Sequence, residues 1–151
     1  MGHCIQGVVT RGAARLPPGW PAPVPLSQGF FIVPLFEAVL DTIEKKEGGV
    51  LPGFTFLDKS LSETLASASV ASPLAYLETD YFGGDGCQGA VAYDRGSVIF
   101  GPENGDIGPI SSALARIGAV RGDAYDEFDA LGLGRFRRMD DFVECEKFKR
   151  G

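Results

Sequence analysis

The chain has 151 residues, of which 44% are hydrophobic and 23% charged. That balance fits one globular domain burying roughly 68–70% of its unfolded surface and excludes a disordered or fibrous chain. The net charge of −6 weighs against a nucleic-acid surface, which needs Lys and Arg against phosphate, and favours a cationic partner or plain solubility.

Cys4, Cys87 and Cys145 are widely spaced with no Cys-x-x-Cys pair, so they read as reduced thiols and not as a disulfide framework or zinc site. The start, Met1 to Gln6, lacks the basic and long apolar regions of a signal peptide. The apolar run Phe30 to Phe36 is too short to span a bilayer. A soluble, cytoplasmic protein is expected, with no membrane association.

Cys4 to Thr10 predicts a first strand, rich in Ile5, Val8 and Val9 and closed by Arg11-Gly12. Leu16 to Pro25 carries five prolines, which fix φ and remove donors, so this stretch is expected to cross the surface extended with Trp20 turned inward. Gly29 to Val33 is a continuous apolar run of strand length ended by Pro34. Phe36, Val39, Leu40 and Ile43 then repeat at helical spacing, with a stop at Lys45-Lys46 and Gly48-Gly49. Phe54 to Leu57 is a short strand candidate. Ser60 with Glu63 has capping-box spacing and opens a helix running to about Val70.

Pro73 starts a three-stranded meander over about residues 73–100, with turns at Gly83 to Gly86 and Asp94 to Gly96. Gly101 to Gly108 reads as a polar loop. Pro109 suits the first position of a helix whose buried stripe is Ile110, Leu114 and Ile117 and which ends at Gly118. Asp123 is placed to cap a last helix through Leu131, with Gly132 as its left-handed stop. The whole, residues 1–151, is expected to form a single α+β domain, a mainly antiparallel sheet with helices packed on one face.

A turn centred on Gly84-Asp85 sets 82 opposite 87, 80 opposite 89, 78 opposite 91 and 76 opposite 93. One face then collects Tyr76, Glu78, Asp80, Phe82, Cys87, Gly89, Val91 and Tyr93. The other carries Leu77, Thr79, Tyr81, Gln88, Ala90 and Ala92, whose small residues admit a close helix. Glu78 and Asp80, at i and i+2, have Cα atoms roughly 6.5–7 Å apart. They can share a cation, with Asp85 in the adjoining turn, or they can form an acidic protein-binding face with Tyr76, Tyr81, Phe82 and Tyr93 as aromatic anchors. Asp85 belongs to either reading.

Nucleophilic chemistry has little to work with. His3 is the only histidine, and its thiol partner would have to be the distant Cys87 or Cys145. There is no Gly-x-Ser-x-Gly and no Walker loop, and Gly83 to Gly86 lacks the following helix that a phosphate cradle needs. No cofactor is expected. Arg135, Arg137 and Arg138 can clamp an anion, but the preferred reading pairs them with Asp123, Asp126, Glu127, Asp129, Asp140 and Asp141.

Glu78-Thr-Asp-Tyr-Phe-Gly-Gly84 together with Asp126-Glu-Phe-Asp-Ala-Leu-Gly-Leu-Gly-Arg-Phe-Arg137 resembles a set of small uncharacterised bacterial proteins over roughly the second half of the chain. That set carries no activity or site residues across. In general character, a small acidic bacterial domain also resembles toxin-neutralising immunity proteins. The expected function is a non-enzymatic binding protein, an inhibitor or immunity protein covering a basic site on a protein partner. A metal-dependent enzyme built on Glu78, Asp80 and Asp85 is the alternative.

Overall fold

The computed structural model describes residues 3–12, 15–43, 49–82, 85–106 and 108–143, with the side chains of Phe82 and Asp85 outside that description. Six strands, β1 (Gln6–Thr10), β2 (Val24–Pro25), β3 (Phe31–Pro34), β4 (Leu74–Phe82), β5 (Asp85–Asp94) and β6 (Ser97–Gly105), form one sheet. Their spatial order is β2-β3-β1-β4-β5-β6, every pairing antiparallel. Helices α1 (Glu37–Leu40), α2 (Lys59–Ala68), α3 (Pro109–Arg116) and α4 (Glu127–Ala130) surround it. No helix among the described residues is long and apolar enough to cross a membrane.

β1 is buried along its whole length, as its place between β3 and β4 requires. Alternation along β4 divides the core in two. Ala75 and Leu77 face one side with Ala90 and Ala92, and against them pack Ile110, Ala113 and Leu114 of α3. Alanines at these positions let the helix come close, as their small volume predicts. Leu74 and Tyr76 face the other side with Val8, Val91 and Tyr93, covered by Leu57, Leu61 and Leu65. Each of those three leucines is essentially fully buried, a gain of about 1.5–3 kcal/mol apiece.

The α+β class, the antiparallel sheet and the meander of β4, β5 and β6 are as expected, but β6 runs on to Gly105, because Glu103 to Gly105 pair with Gln88 to Ala90 in the stretch read as a polar loop. The helices, however, occupy both faces of the sheet, because Tyr76, Val91 and Tyr93 make its second face as apolar as the first.

Several local expectations shift. In the β4–β5 hairpin, Glu78 stands opposite Gly89 and Tyr76 opposite Val91. The register is two residues from the predicted one, and since two is the side-chain period, every residue keeps its predicted face. The turn at 83–84 lies outside the described residues, as does the predicted stop of the first helix at 45–48. Phe54 to Leu57 is not a strand but an irregular segment. α2 is capped by Asp58, whose Oδ1 accepts the Leu61 N–H at 2.7 Å. Asp58 precedes the predicted box, and Ser60 is buried inside the helix. Asp126 and not Asp123 caps α4, accepting the Asp129 N–H at 2.8 Å. Pro109 opens α3, and Gly132 takes the left-handed conformation at φ 83°.

Both sheet edges are blunted. At β2, Pro25 offers no N–H, and its carbonyl accepts from the Arg135 guanidinium. At β6, Pro102 interrupts the row of donors, while Arg116 lies over the Phe100 ring and donates to the Ile99 carbonyl at 3.4 Å. Proline and charge at an edge discourage pairing with another strand.

Gly89 shows how tightly the second face is packed. A Cβ there would sit 2.5 Å from the Phe54 ring, and Phe54 is itself buried. Gly89→Ala is therefore expected to destabilise the protein by about 1–3 kcal/mol through overpacking. Chemical denaturation measures this, and an unchanged midpoint would contradict the packing described.

Candidate functional site

Glu78 is only 7% exposed. Its Oε1 accepts the Thr55 N–H at 2.7 Å, and its Oε2 accepts the Phe56 and Leu57 N–H groups at 2.9 and 3.0 Å. The Tyr76 hydroxyl donates to the same Oε2 at 2.6 Å. Consecutive backbone N–H groups curled around one anion form a nest, in which the ladder-free amides of an irregular segment find an acceptor. Burial, and then the neighbouring Glu78 carboxylate, push the Tyr76 phenol well above its ordinary value, so it stays protonated and donates. Tyr93, also fully buried, bonds Ser62 of α2 at 2.8 Å, and burial raises it to about 12.

The predicted acidic, aromatic-rimmed face is thus not a surface at these positions. Tyr76 and Tyr93 are core, and Glu78 spends both oxygens on four internal donors. Asp80 is exposed, opposite Cys87 and beyond Glu78 along the same face. Phe82 and Asp85 have side chains outside the described residues. Among the described residues, no group of three or more His, Cys, Asp or Glu side chains could hold a metal ion.

Cys4 and Cys87 are both exposed free thiols. Partial burial, then the nearby Asp80 and Glu78 charges, raise the Cys4 thiol, which works against a nucleophilic thiolate. His3 pairs with Tyr81 across a bridge and Cys87 with Asp80, so histidine and thiol lie on opposite faces. Cys145 lies outside the described residues.

Arg135 is committed to the Pro25 carbonyl and stacks 4.6 Å from the Phe136 ring centroid. Arg137 and Arg138 contribute backbone N–H groups to Asp141 Oδ2 at 2.8 and 3.1 Å. Those bonds, the Arg137 N–H first, lower the Asp141 carboxyl. Of the acids predicted to pair with these arginines, Asp141 is the one brought to them by these bonds.

The opposite face of the same hairpin holds a different site. Thr79, Tyr81 and Gln88 leave the α3 side of the sheet beyond the end of the helix, and there they meet His3, Asp106, Ser111, Asp126 and Phe128 around a cleft of about 280 Å³. The Tyr81 hydroxyl donates to the Asp106 carbonyl and accepts from Gln88 Nε2 at 2.9 Å. Gln88 Oε1 in turn accepts the Ile110 N–H at 2.8 Å, capping α3 where Gly108 has no side chain to do so. Thr79 Oγ1 accepts the Ile5 N–H at 2.9 Å and bonds His3 Nδ1 at 2.7 Å, and the His3 ring meets Phe128 edge-to-face at 5.5 Å.

His3 is held below its ordinary value by burial first and by the Arg137 charge second, against smaller opposing effects of Asp141 and the Phe136 carbonyl. Its Nε2 is shielded from solvent with no hydrogen bond of ordinary geometry.

Both sequence patterns singled out above end in this cleft. Thr79 and Tyr81 come from one, Asp126 and Phe128 from the other. The available signal was three polar side chains, Thr79, Tyr81 and Gln88, on a strand face otherwise lined by Leu77, Ala90 and Ala92. A second hollow of about 250 Å³ between α1 and the start of α2 includes Glu37, Asp41 and Asp58. There Asp58 is spent on its helix cap and the Thr55 and Phe56 N–H groups on Glu78. Comparison with known proteins adds no further guide: no protein-family model, no curated protein and no solved structure matches the chain.

Two measurements test this geometry. Glu78→Gln replaces an acceptor of four bonds by an amide whose NH₂ opposes N–H donors, and is expected to cost about 3 kcal/mol in denaturant unfolding, with faster hydrogen exchange at Thr55 to Leu57. Stability retained at the native level would refute the nest. For His3, the folded-state value lies below the unfolded one, so its contribution is complete above about pH 6.5 and is lost as pH falls through the folded value. Unfolding free energy should decline as pH falls below about 6.5 and do so less steeply in His3→Gln; equal slopes would remove His3 as the source.

Proposed function

We propose that the protein is a non-enzymatic binding protein that covers a basic site on another protein, as an intracellular inhibitor or immunity protein neutralising a toxin does. The observation that carries this reading is the cleft formed by Tyr81, Phe128, Asp106 and Asp126, which combines ring faces with carboxylates. These are the properties expected of a surface that meets a cationic partner. The net charge of −6 supports it, because a negative field speeds encounter with a basic partner. The hydrogen bonds that brace Tyr81 and Gln88 support it too, since a prearranged wall loses little freedom on binding. The likeness in general character to immunity proteins points the same way.

The test is co-expression with the neighbouring open reading frames. One of their products is expected to arrest growth and to be neutralised by this chain through a stable complex. Asp106→Asn with Asp126→Asn, which keeps a competent helix cap, is expected to weaken that complex by about tenfold or more. Neutralisation of no neighbour would overturn the inhibitor reading, and an unweakened complex would move the binding surface elsewhere.

A further inference from the structure

We infer that the cleft beside Tyr81 and Phe128 is a socket for a single arginine side chain presented by the partner, an assignment that rests on the binding reading above and sharpens it. Size is the first argument. A volume of about 280 Å³ falls at the lower limit of the roughly 300–1,000 Å³ that small-molecule sites occupy. There is room for one side chain reaching in from a larger body.

The second argument is the balance of hydrogen-bonding valence. The Tyr81 hydroxyl both donates, to the Asp106 carbonyl, and accepts, from Gln88. The Gln88 carbonyl is held by the Ile110 N–H, and the Thr79 oxygen by the Ile5 N–H. Asp126 gives Oδ1 to the Asp129 N–H, which leaves Oδ2 beyond that cap bond, and the Asp106 side chain stands exposed at the rim. The acidic groups on the cleft wall are Asp106 and Asp126, and the group that complements them carries N–H donors and positive charge.

The third argument separates guanidinium from ammonium. Tyr81 and Phe128 provide aromatic surface in a confined space, where a planar, weakly hydrated guanidinium stacks and still directs its N–H groups sideways to carboxylates. An ammonium is more strongly hydrated and gains less from the rings. His3, on the same wall, is held below its ordinary value by burial and then by Arg137, which favours its uncharged form.

Amide NMR spectra of the full chain, titrated with the blocked tripeptide acetyl-glycyl-arginyl-glycinamide, test the assignment directly. Expected are millimolar affinity, shifts concentrated at Tyr81, Gln88, Ile110 and Phe128, several-fold weaker shifts with the lysine analogue, and none with the neutral citrulline analogue. Asp106→Asn with Asp126→Asn should abolish the response while the rest of the spectrum stays in place. Silence toward the arginine peptide, or an equal response to citrulline, overturns the socket; an equal response to lysine overturns the choice of guanidinium. A silent titration alongside successful neutralisation of a neighbouring product discards the socket alone. A specific arginine response with no neighbour neutralised upholds the socket and discards the inhibitor reading.

Discussion

Three consecutive backbone N–H groups and one phenol converge on the carboxylate of Glu78. The amides belong to a segment with no strand or helix of its own, and the buried Leu57 N–H would otherwise lack a partner at a cost of about 1–3 kcal/mol. Holding that segment on the sheet seats Phe54 over Gly89 and Leu57 in the second core. The next residue, Asp58, caps α2, and α2 then reaches back to Tyr93 through Ser62. One anion thus organises the whole layer on that side of the sheet. Four hydrogen bonds replace the water its oxygens give up on burial.

Elements set by local pattern were readable in the sequence. β1, α3 and the left-handed Gly132 follow from β-branched runs, a first-turn proline and a helix stop, and their neighbours in space change nothing about them. The faces of the β4–β5 hairpin were also readable, since a register error of two residues preserves the side on which each residue lies. What could not be read depended on partners distant in sequence. Phe54 to Leu57 has strand-like composition, but Glu78, more than twenty residues on, takes its amides out of any ladder. Tyr76 and Tyr93 look like surface anchors until α2 is known to cover them, and nothing local to either tyrosine announces that helix.

The site was obscured for the same reason. Paired carboxylates on one strand face attract a chemical reading, yet the inner one is consumed by structure. The cleft on the other face draws its walls from His3, the paired ends of β4 and β5, the residue after β6, α3 and α4. No spacing in the sequence joins His3, Thr79, Asp106 and Phe128. His3 meets Thr79 because β1 lies beside β4, and Asp106 and Phe128 arrive from the end of β6 and from α4. Tyr81 and Gln88 were individually visible as polar residues on an apolar face, and that mismatch is the kind of local inconsistency that accompanies functional surfaces.

The blunted edges carry a consequence for how this molecule can meet another. A sheet in which Arg116 and Arg135 each take a carbonyl of an outer strand, and whose outer strands contain proline, resists growth in both lateral directions. Recognition by strand addition reads mainly the backbone and is tolerant of sequence. With that route obstructed, discrimination falls to side chains at the ends of the strands, where a partner is distinguished by its chemistry and not by its capacity to extend a ladder.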